Sequence, residues 1–274
     1  MPTSDMSLAD RDWRLITEES RPGPLNMALD EVAAESAAEE GVRTLRVYRW
    51  EPSTLSLGYH QDPATIDWEF CERAGITVTR RPTGGGAIYH DDYGDISYSV
   101  VAPAEELPGD LLESYELLCE PLLDALEGMG VDARFADEER PAVYEPACYL
   151  RALHPAHDVV AGDDRKISGN AQYRQKDAVV QHGSITFART TDRHLDCFAD
   201  PDVTAEAFDD RVTSVREQSG IDREEAVAEL ESSLRSWGDA HEGTWTDGEL
   251  PQARERARKK YREDGWTRDG DDPL

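Results

Sequence analysis

Short runs in which apolar and polar residues alternate recur through the first 190 residues and predict β-strands. Five of them stand out: TLRVYRW (44–50), TLSLGYH (54–60), ITVTRRP (76–82), DISYSVVAP (95–103) and AVVQHGSITF (178–187). HDVVAGDDRKISGNAQYR (157–174) predicts a hairpin, because its centre has the Gly and Asp residues that favour tight turns. The first part of the chain is therefore expected to form a sheet.

A second pattern, with apolar residues three and four positions apart, predicts helices. Leu25, Ala28, Leu29 and Val32 have this spacing, and Val227, Leu230, Leu234 and Trp237 repeat it after Asp200. Further helices are predicted at 63–75, at 110–128 and in the Arg- and Lys-rich stretch 249–266. Helices therefore accompany the strands and dominate the last 70 or so residues.

Together these patterns predict an α/β fold: a single domain with a mixed, curved β-sheet flanked by helices, and a small helical C-terminal part. We place the main unit at 12–200 and a helical extension packed on it at 201–266. Residues 1–11 and 267–274 are predicted to be flexible ends, and 137–165 to be irregular.

The charge of the chain adds information about its surroundings. The net charge is −29, from 58 acidic and 29 basic residues, and only four of the basic residues are lysines. An acidic surface spread along the whole chain is a halophilic-type feature, because high salt screens its self-repulsion. The same charge would repel a phosphate backbone, so we expect no nucleic acid partner.

No apolar run is long enough for a membrane span and the N-terminus is unlike a signal peptide, so we expect a cytoplasmic protein that binds no membrane.

The four cysteines are widely spaced and contain no CxxC pair, which argues against a zinc site. No cluster of Asp, Glu and His suggests a metal cage either, so we predict no metal ligands. Three cysteines are interpreted as structural, among them Cys119 on the predicted helix 110–128. Cys148 is the exception, because it lies 18 residues before Lys166.

Two stretches suggest chemistry. The triplet Gly84–Gly86 follows Arg80 and Arg81, but it matches neither a dinucleotide-binding nor a P-loop motif. Glycines let backbone N–H groups approach a ligand, and successive N–H groups form an anion-binding concavity. Lys166, in RKISGNAQ, is a rare lysine in an arginine-biased chain, which suggests a need for a compact point charge. His182, on the next strand, fits either a hydrogen-bonded core histidine or a site residue.

Four ordered motifs resemble the lipoate–protein ligase / octanoyltransferase family, whose catalytic domain is shared with biotin–protein ligases. They are LNMALDE, LRVYRWEPSTLSLGYHQ, RRPTGGGAIYHDDYGDISYSV and RKISGNAQYRQKDAVVQHGSITF, and the resemblance covers about residues 12–190. It implies attachment of a lipoyl or octanoyl group to one lysine of an acceptor. The implied acceptors are the lipoyl domains of 2-oxoacid dehydrogenases and the glycine cleavage H protein.

The resemblance also implies a set of site residues. Lys166 would be catalytic, with Cys148 as nucleophile if the enzyme is a transferase. The substrate or acyl-adenylate would be bound by Gly58, Arg81, Thr83, Gly84, Gly85, Gly86, Ala87, His90, Ser168, Gly169, Ala171 and His182. A narrow acyl tunnel would take its walls from Leu57, Gly58, Tyr59, Ala87 and Ile88.

Two mechanisms occur in the wider family, and the local features divide between them. The form GGGAIYHD is that of the ligases, so the main prediction is an ATP-dependent ligase that uses Mg2+ and an acyl-adenylate, with or without a separate accessory subunit. The sequence ACYL ahead of DRK resembles the cysteine octanoyltransferases, which take octanoyl from acyl carrier protein. That alternative needs no cofactor, and in both cases lipoate or octanoate is the acyl group. A biotin ligase and a non-catalytic lipoyl-domain binder are further alternatives.

Overall fold

The structure, a computed structural model, describes Leu8, residues 11–175 and residues 177–274. Eleven strands are present in these residues: β1 (Trp13–Arg21), β2 (Arg43–Trp50), β3 (Thr54–Leu57), β4 (Thr77–Arg80), β5 (Ile88–His90), β6 (Asp95–Pro103), β7 (Ala133–Phe135), β8 (Asp158–Ala161), β9 (Lys166–Gln175), β10 (Ala178–Thr186) and β11 (His241–Glu242). All of the predicted strands are found, whereas β1, β5, β7 and β11 are additions that the pattern analysis did not anticipate.

The helices follow the predicted spacing. They are α1 (Gly23–Glu40), α2 (Trp68–Arg73), α3 (Leu111–Gly128), α4 (Thr191–Asp196), α5 (Ala205–Arg211), α6 (Val215–Ser219), α7 (Arg223–Gly238) and α8 (Glu249–Arg256). Among the described residues, no helix combines the length and the apolar character needed to cross a bilayer.

The strands form a large mixed sheet and a small one. The large sheet has the order β11-β1-β2-β6-β10-β9-β8-β7; β11, β1 and β2 are parallel and the remaining neighbours are antiparallel. The small sheet has the order β4-β3-β5. The predicted α/β class with a mixed sheet flanked by helices is confirmed. The separate small sheet leads into the segment that contains Gly84–Gly86, which we call the glycine loop. This loop begins where β4 ends.

The large sheet is covered by helices on both faces. Alternation along β2 explains this, because adjacent side chains point to opposite faces. Val47 belongs to the core shared with α3 and α7, whereas Tyr48 belongs to the core shared with α1 and α8. The residues after 200 therefore pack on both faces of the large sheet.

The start of the last segment, at residues 266–268, is anchored to the rest of the protein. Thr267 is buried, and the carbonyls of residues 266–268 accept hydrogen bonds from the guanidinium of Arg80. The ordered packing thus continues past the predicted boundary at 266. Of the predicted flexible N-terminal end, residues 1–7, 9 and 10 lie outside the described residues.

Candidate active site around Cys148 and Lys166

A cavity of about 460 Å³ lies where the glycine loop, the segment before β8 and the strands β9 and β10 meet. Ten of the predicted site residues line it: Arg81, Thr83, Gly84, Gly85, His90, Cys148, Lys166, Gly169, Ala171 and His182. Four others, Gly58, Gly86, Ala87 and Ser168, lie outside this lining. Of the predicted tunnel walls, Ile88 alone lines the cavity, because Leu57 and Ala87 are buried in the core beside it.

Cys148 begins a single helical turn that is held directly against the glycine loop. Its backbone N–H donates to the carbonyl of Ala87 at 2.9 Å, and the N–H of Ala87 donates to Pro146 at 2.7 Å. Its side chain is a free thiol of intermediate exposure. A Cβ on Gly86 would lie 2.6 Å from the Pro146 oxygen and 2.8 Å from the Cys148 nitrogen. Glycine is therefore needed at position 86 for the close approach of the two backbones.

Lys166 is fixed by a buried ion pair. Its ammonium Nζ lies 2.7 Å from Asp158 Oδ1, and both side chains are 3% exposed. The same Nζ donates to the Cys148 carbonyl at 3.4 Å and lies 5.4 Å from the centre of the Tyr149 ring. Burial acts to raise the pKa of Asp158, but the nearby charges of Lys166 and His157 hold it well below its ordinary value. The Lys166 pKa is raised, because the Asp158 charge outweighs burial, so both groups are charged.

Arg81 is a buried cation whose donors are all used within the protein. Its N–H groups make five hydrogen bonds, to Thr83 Oγ1, to the carbonyl and hydroxyl of Ser56, and to the carbonyls of Gly84 and Gly86. Burial lowers its pKa, although the guanidinium remains charged at any ordinary pH. Arg81 thus shapes the glycine loop and brings positive charge to the cavity.

Thr83 connects Arg81 to His182 on β10. The Thr83 hydroxyl is 2.9 Å from Nε2 of His182, whose Nδ1 lies 3.5 Å from the carboxylate of Asp30. Asp30 is in turn paired with the buried Arg46 at 2.9 Å. His182 is therefore both a hydrogen-bonded core histidine and a residue of the cavity wall, so the two interpretations of it hold together.

A family described as the lipoyl protein ligase A/B catalytic domain matches residues 22–235. The chain belongs to this family. It is an enzyme family, and the predicted resemblance is thereby confirmed.

Relatives within the lipoyl protein ligase A/B family carry a more specific name. Octanoyltransferase LipM of Halalkalibacterium halodurans is 30% identical over 277 residues, covering 93% of this chain and 98% of that protein. Octanoyltransferase LipM of Exiguobacterium sp. is 36% identical over 195 residues, covering 68% and 70%. These names favour the octanoyltransferase alternative over the main prediction of an ATP-dependent ligase.

Two solved structures with this fold are lipoate–protein ligases. A crystal structure of lipoate-protein ligase A bound with ATP superimposes with a TM-score of 0.78 at 26% identity, covering 94% of this chain and 99% of that one. The ligase of a bi-partite system from Thermoplasma acidophilum gives a TM-score of 0.76 at 25% identity, covering 94% and 96%. The architecture is thus shared between ligases and this chain.

His90, another predicted binding residue, is a buried histidine whose two ring nitrogens both have partners. Its Nδ1 is 2.9 Å from Asp95, its Nε2 is 2.9 Å from the Ser56 hydroxyl, and its ring stacks on Trp50 at 4.0 Å. Burial lowers the pKa of His90 despite the Asp95 carboxylate. The ring is therefore neutral, and it supports the cavity wall between Ser56 and Trp50.

Sequence reasoning overlooked Asp158 and Asp95, although one signal for Asp158 was available. The predicted hairpin 157–174 places its two arms side by side, and Val160 does pair with Lys166. Asp158, at the start of one arm, is therefore close to Lys166, which begins the other arm. Among the described residues, no group of three or more His, Cys, Asp or Glu side chains is arranged to hold a metal ion.

Proposed function

We propose that this chain is a cysteine-dependent octanoyltransferase that carries the acyl group as a thioester on Cys148. The observation that carries the proposal is the contact between the Cys148 segment and the buried Lys166 ammonium, in a cavity large enough for a medium-length acyl chain. Its relatives along nearly the full chain are named octanoyltransferases, which supports the same reaction. The donor would be acyl carrier protein, and the acceptor a lysine of a lipoyl domain.

The reaction proceeds in two acyl-transfer steps. The Cys148 thiolate attacks the thioester carbonyl of the donor, and the tetrahedral intermediate collapses with departure of the donor thiolate, which takes a proton. The neutral amine of the acceptor lysine then attacks the acyl-Cys148 carbonyl, loses a proton and expels the Cys148 thiolate. The acyl group moves from sulfur to nitrogen, and no oxidant or nucleotide is consumed.

Two cations would assist these steps. The Lys166 ammonium lies against the Cys148 segment, where it donates to the Cys148 carbonyl at 3.4 Å. Each attack also generates an oxyanion, which the Lys166 ammonium stabilises electrostatically; losing one such donor costs about 10²–10³ in rate. Arg81 adds a second positive charge to the cavity lining, since its donors bind neutral oxygens.

The acyl chain needs an apolar surface within the cavity. Met27, Trp50 and Ile88 provide it among the lining residues, while Tyr48 and Tyr115 add aromatic faces. Met27, Tyr48, Trp50 and Tyr115 are buried. An acyl tail on Cys148 would therefore be shielded from water while its carbonyl stays near Lys166.

One observation keeps the ATP-dependent ligase as a second candidate. The glycine triplet has the ligase form, and a ligase bound with ATP shares this fold. Against it, all the Arg81 donors bind protein oxygens. In this arrangement, the Arg81 guanidinium has no donor left for the phosphates of a nucleotide.

Substitution of Cys148 by alanine separates the candidates. We expect the wild-type protein to form an octanoyl-enzyme with octanoyl acyl carrier protein and to pass the group to a lipoyl domain without ATP, as read by intact-protein mass spectrometry. C148A should form neither product, and C197A, which alters a core cysteine outside the cavity, should form both. Activity of C148A with ATP and octanoate or lipoate would establish the ligase instead. Absence of transfer by the wild type with every donor would favour a lipoyl-domain binder.

A further inference from the structure

The side chain of Arg80, unlike that of its neighbour Arg81, points away from the cavity and into a shell of backbone carbonyls. It is 2% exposed and donates six hydrogen bonds of 2.8–3.1 Å. Three acceptors lie in the loop after β3 and three near the chain end: the carbonyls of Gly58, Tyr59, Gln61, Trp266, Thr267 and Arg268. One guanidinium thus joins two segments about 200 positions apart in the sequence.

Further contacts fix the chain end onto β4. The indole N–H of Trp266 donates back to the Arg80 carbonyl at 2.8 Å. The Thr79 hydroxyl donates to the carbonyl of Tyr261 at 2.9 Å, and the guanidinium of Arg268 lies 3.8 Å from the centre of the Trp68 ring. The turn formed by residues 266–268 is therefore held from both sides, by main-chain and side-chain bonds.

The loop on the other side of Arg80, residues 58–61, contacts both halves of the candidate site. The N–H of Tyr59 donates to the Thr83 carbonyl at 2.8 Å, and a Cβ on Gly58 would lie only 1.9 Å from the Gly85 oxygen. The side-chain amide of Gln61 donates to Pro146 at 3.1 Å, two residues before the candidate nucleophile. A displacement of this loop would therefore move the glycine loop and the Cys148 segment together.

We infer that residues 266–268 are a positioning element of the active site, which acts through Arg80 on loop 58–61 and through that loop on the glycine loop and Cys148. The inference rests on the proposed function for the identity of the nucleophile. None of its three carbonyls belongs to a residue that lines the cavity, so the element would act on rate without contacting substrate. A guanidinium suits this role, because its planar fork binds several acceptors in one fixed geometry.

Two pairs of variants test the inference. R80K keeps the charge but cannot reach six carbonyls, whereas R262A, its control, removes an exposed arginine from the same part of the chain and leaves all six carbonyls in place. Deletion of residues 264–274 removes all three C-terminal acceptors, whereas deletion of 271–274 leaves them in place. The measurements are the single-turnover rate of Cys148 octanoylation and amide hydrogen exchange in 58–61, 84–86 and the central strand β10.

R80K and the longer deletion should slow octanoylation by about 10²-fold, the effect expected of a displacement near 1 Å. They should also speed exchange in 58–61 and 84–86 while β10 stays protected. R262A and the shorter deletion should stay within about twofold of wild type. Unchanged octanoylation and loop exchange in R80K and the longer deletion, measured on folded protein, would overturn the inference even if the melting temperature fell. If C148A proves active, the proposed function fails, while the exchange pattern still decides the role of residues 266–268.

Discussion

Asp158 and Lys166 form an ion pair with a 2.7 Å separation between Oδ1 and Nζ, and both side chains are almost completely shielded from water. Asp158 also accepts the backbone N–H of His154 at 2.8 Å. The carboxylate therefore joins the lysine at the start of β9 to the segment that carries Cys148. It orients the Lys166 ammonium and balances its charge.

Replacing Asp158 by asparagine should leave a buried ammonium without its counter-charge. Removing one partner of such a pair costs about 3–5 kcal/mol in the free energy of unfolding, because the remaining charge is uncompensated. We expect D158N to lose that much in urea unfolding and to octanoylate Cys148 more slowly. D163N is the control, since Asp163 forms a more exposed pair with Arg165 in the same hairpin. Equal stability of D158N and D163N would contradict the buried-pair assignment.

The same pair predicts a loss of stability in acid. Because the pKa of Asp158 is depressed in the folded chain, its contribution is complete above the unfolded value of 3.8 and declines as the pH falls below it. The wild-type free energy of unfolding should therefore fall more steeply below pH 4 than that of D158N. Parallel curves for the two proteins in this range would show that the carboxylate is not held in its charged form.

His194 should destabilise the protein over a different pH range. Burial lowers its pKa to about 3 from an ordinary value of 6.5, and its Nε2 has no hydrogen-bond partner in the described structure. The unfolded chain takes up a proton between these values that the folded chain excludes, so stability falls as the pH drops from 6.5 towards 3. The slope attributable to this residue is up to about 1.4 kcal/mol per pH unit. H194F, which suits the surrounding Phe198 and Phe208 rings, should flatten the curve, and an unchanged slope would refute the assignment.

The glycine loop allows a matched test at two neighbouring positions. A methyl group at Gly86 would press on Pro146 and on the Cys148 nitrogen, whereas one at Gly84 would meet nothing within 4 Å. G86A should therefore reduce Cys148 octanoylation by about 10²-fold through displacement of the nucleophile. G84A should retain activity within about twofold. Equal activity of G84A and G86A would contradict the close approach of the two backbones.

Salt dependence tests the interpretation of the acidic composition. With a net charge of −29, repulsion among exposed carboxylates should destabilise the folded chain at low ionic strength. We expect the urea midpoint to rise as KCl is increased from about 0.01 M, where the screening length is about 30 Å, to about 1 M, where it is about 3 Å. A midpoint that stays constant or falls would end the halophilic-type hypothesis.

The strands and helices with clear periodicity could be predicted from sequence because local spacing determines them. The strand β1 was missed, since its second half, ITEES, lacks a continuous apolar alternation and it is secured by pairing with β2. The division of the last residues between α7 on one face and α8 on the other was also missed. Periodicity shows that a helix has an apolar side, but it does not show which face of a sheet that side covers.

The candidate site shows the same limit. Motif resemblance singled out Arg81, Cys148 and Lys166, because each lies in a recognisable stretch, and all three line one cavity. It assigned Arg81 to the site but gave no role to Arg80, which is adjacent in sequence and points to a different environment. Which carbonyls an arginine side chain binds depends on segments that are distant in the chain.

The carbonyl shell of Arg80 also bears on the order of events during synthesis. Its two halves come from residues 58–61 and 266–268, so the shell cannot close until residue 268 has left the ribosome. Contacts of such high sequence separation form late, because the intervening chain must first be ordered. We therefore expect the nascent protein to build most of its sheets first and to gain a competent thiol only after residues 266–268 have emerged.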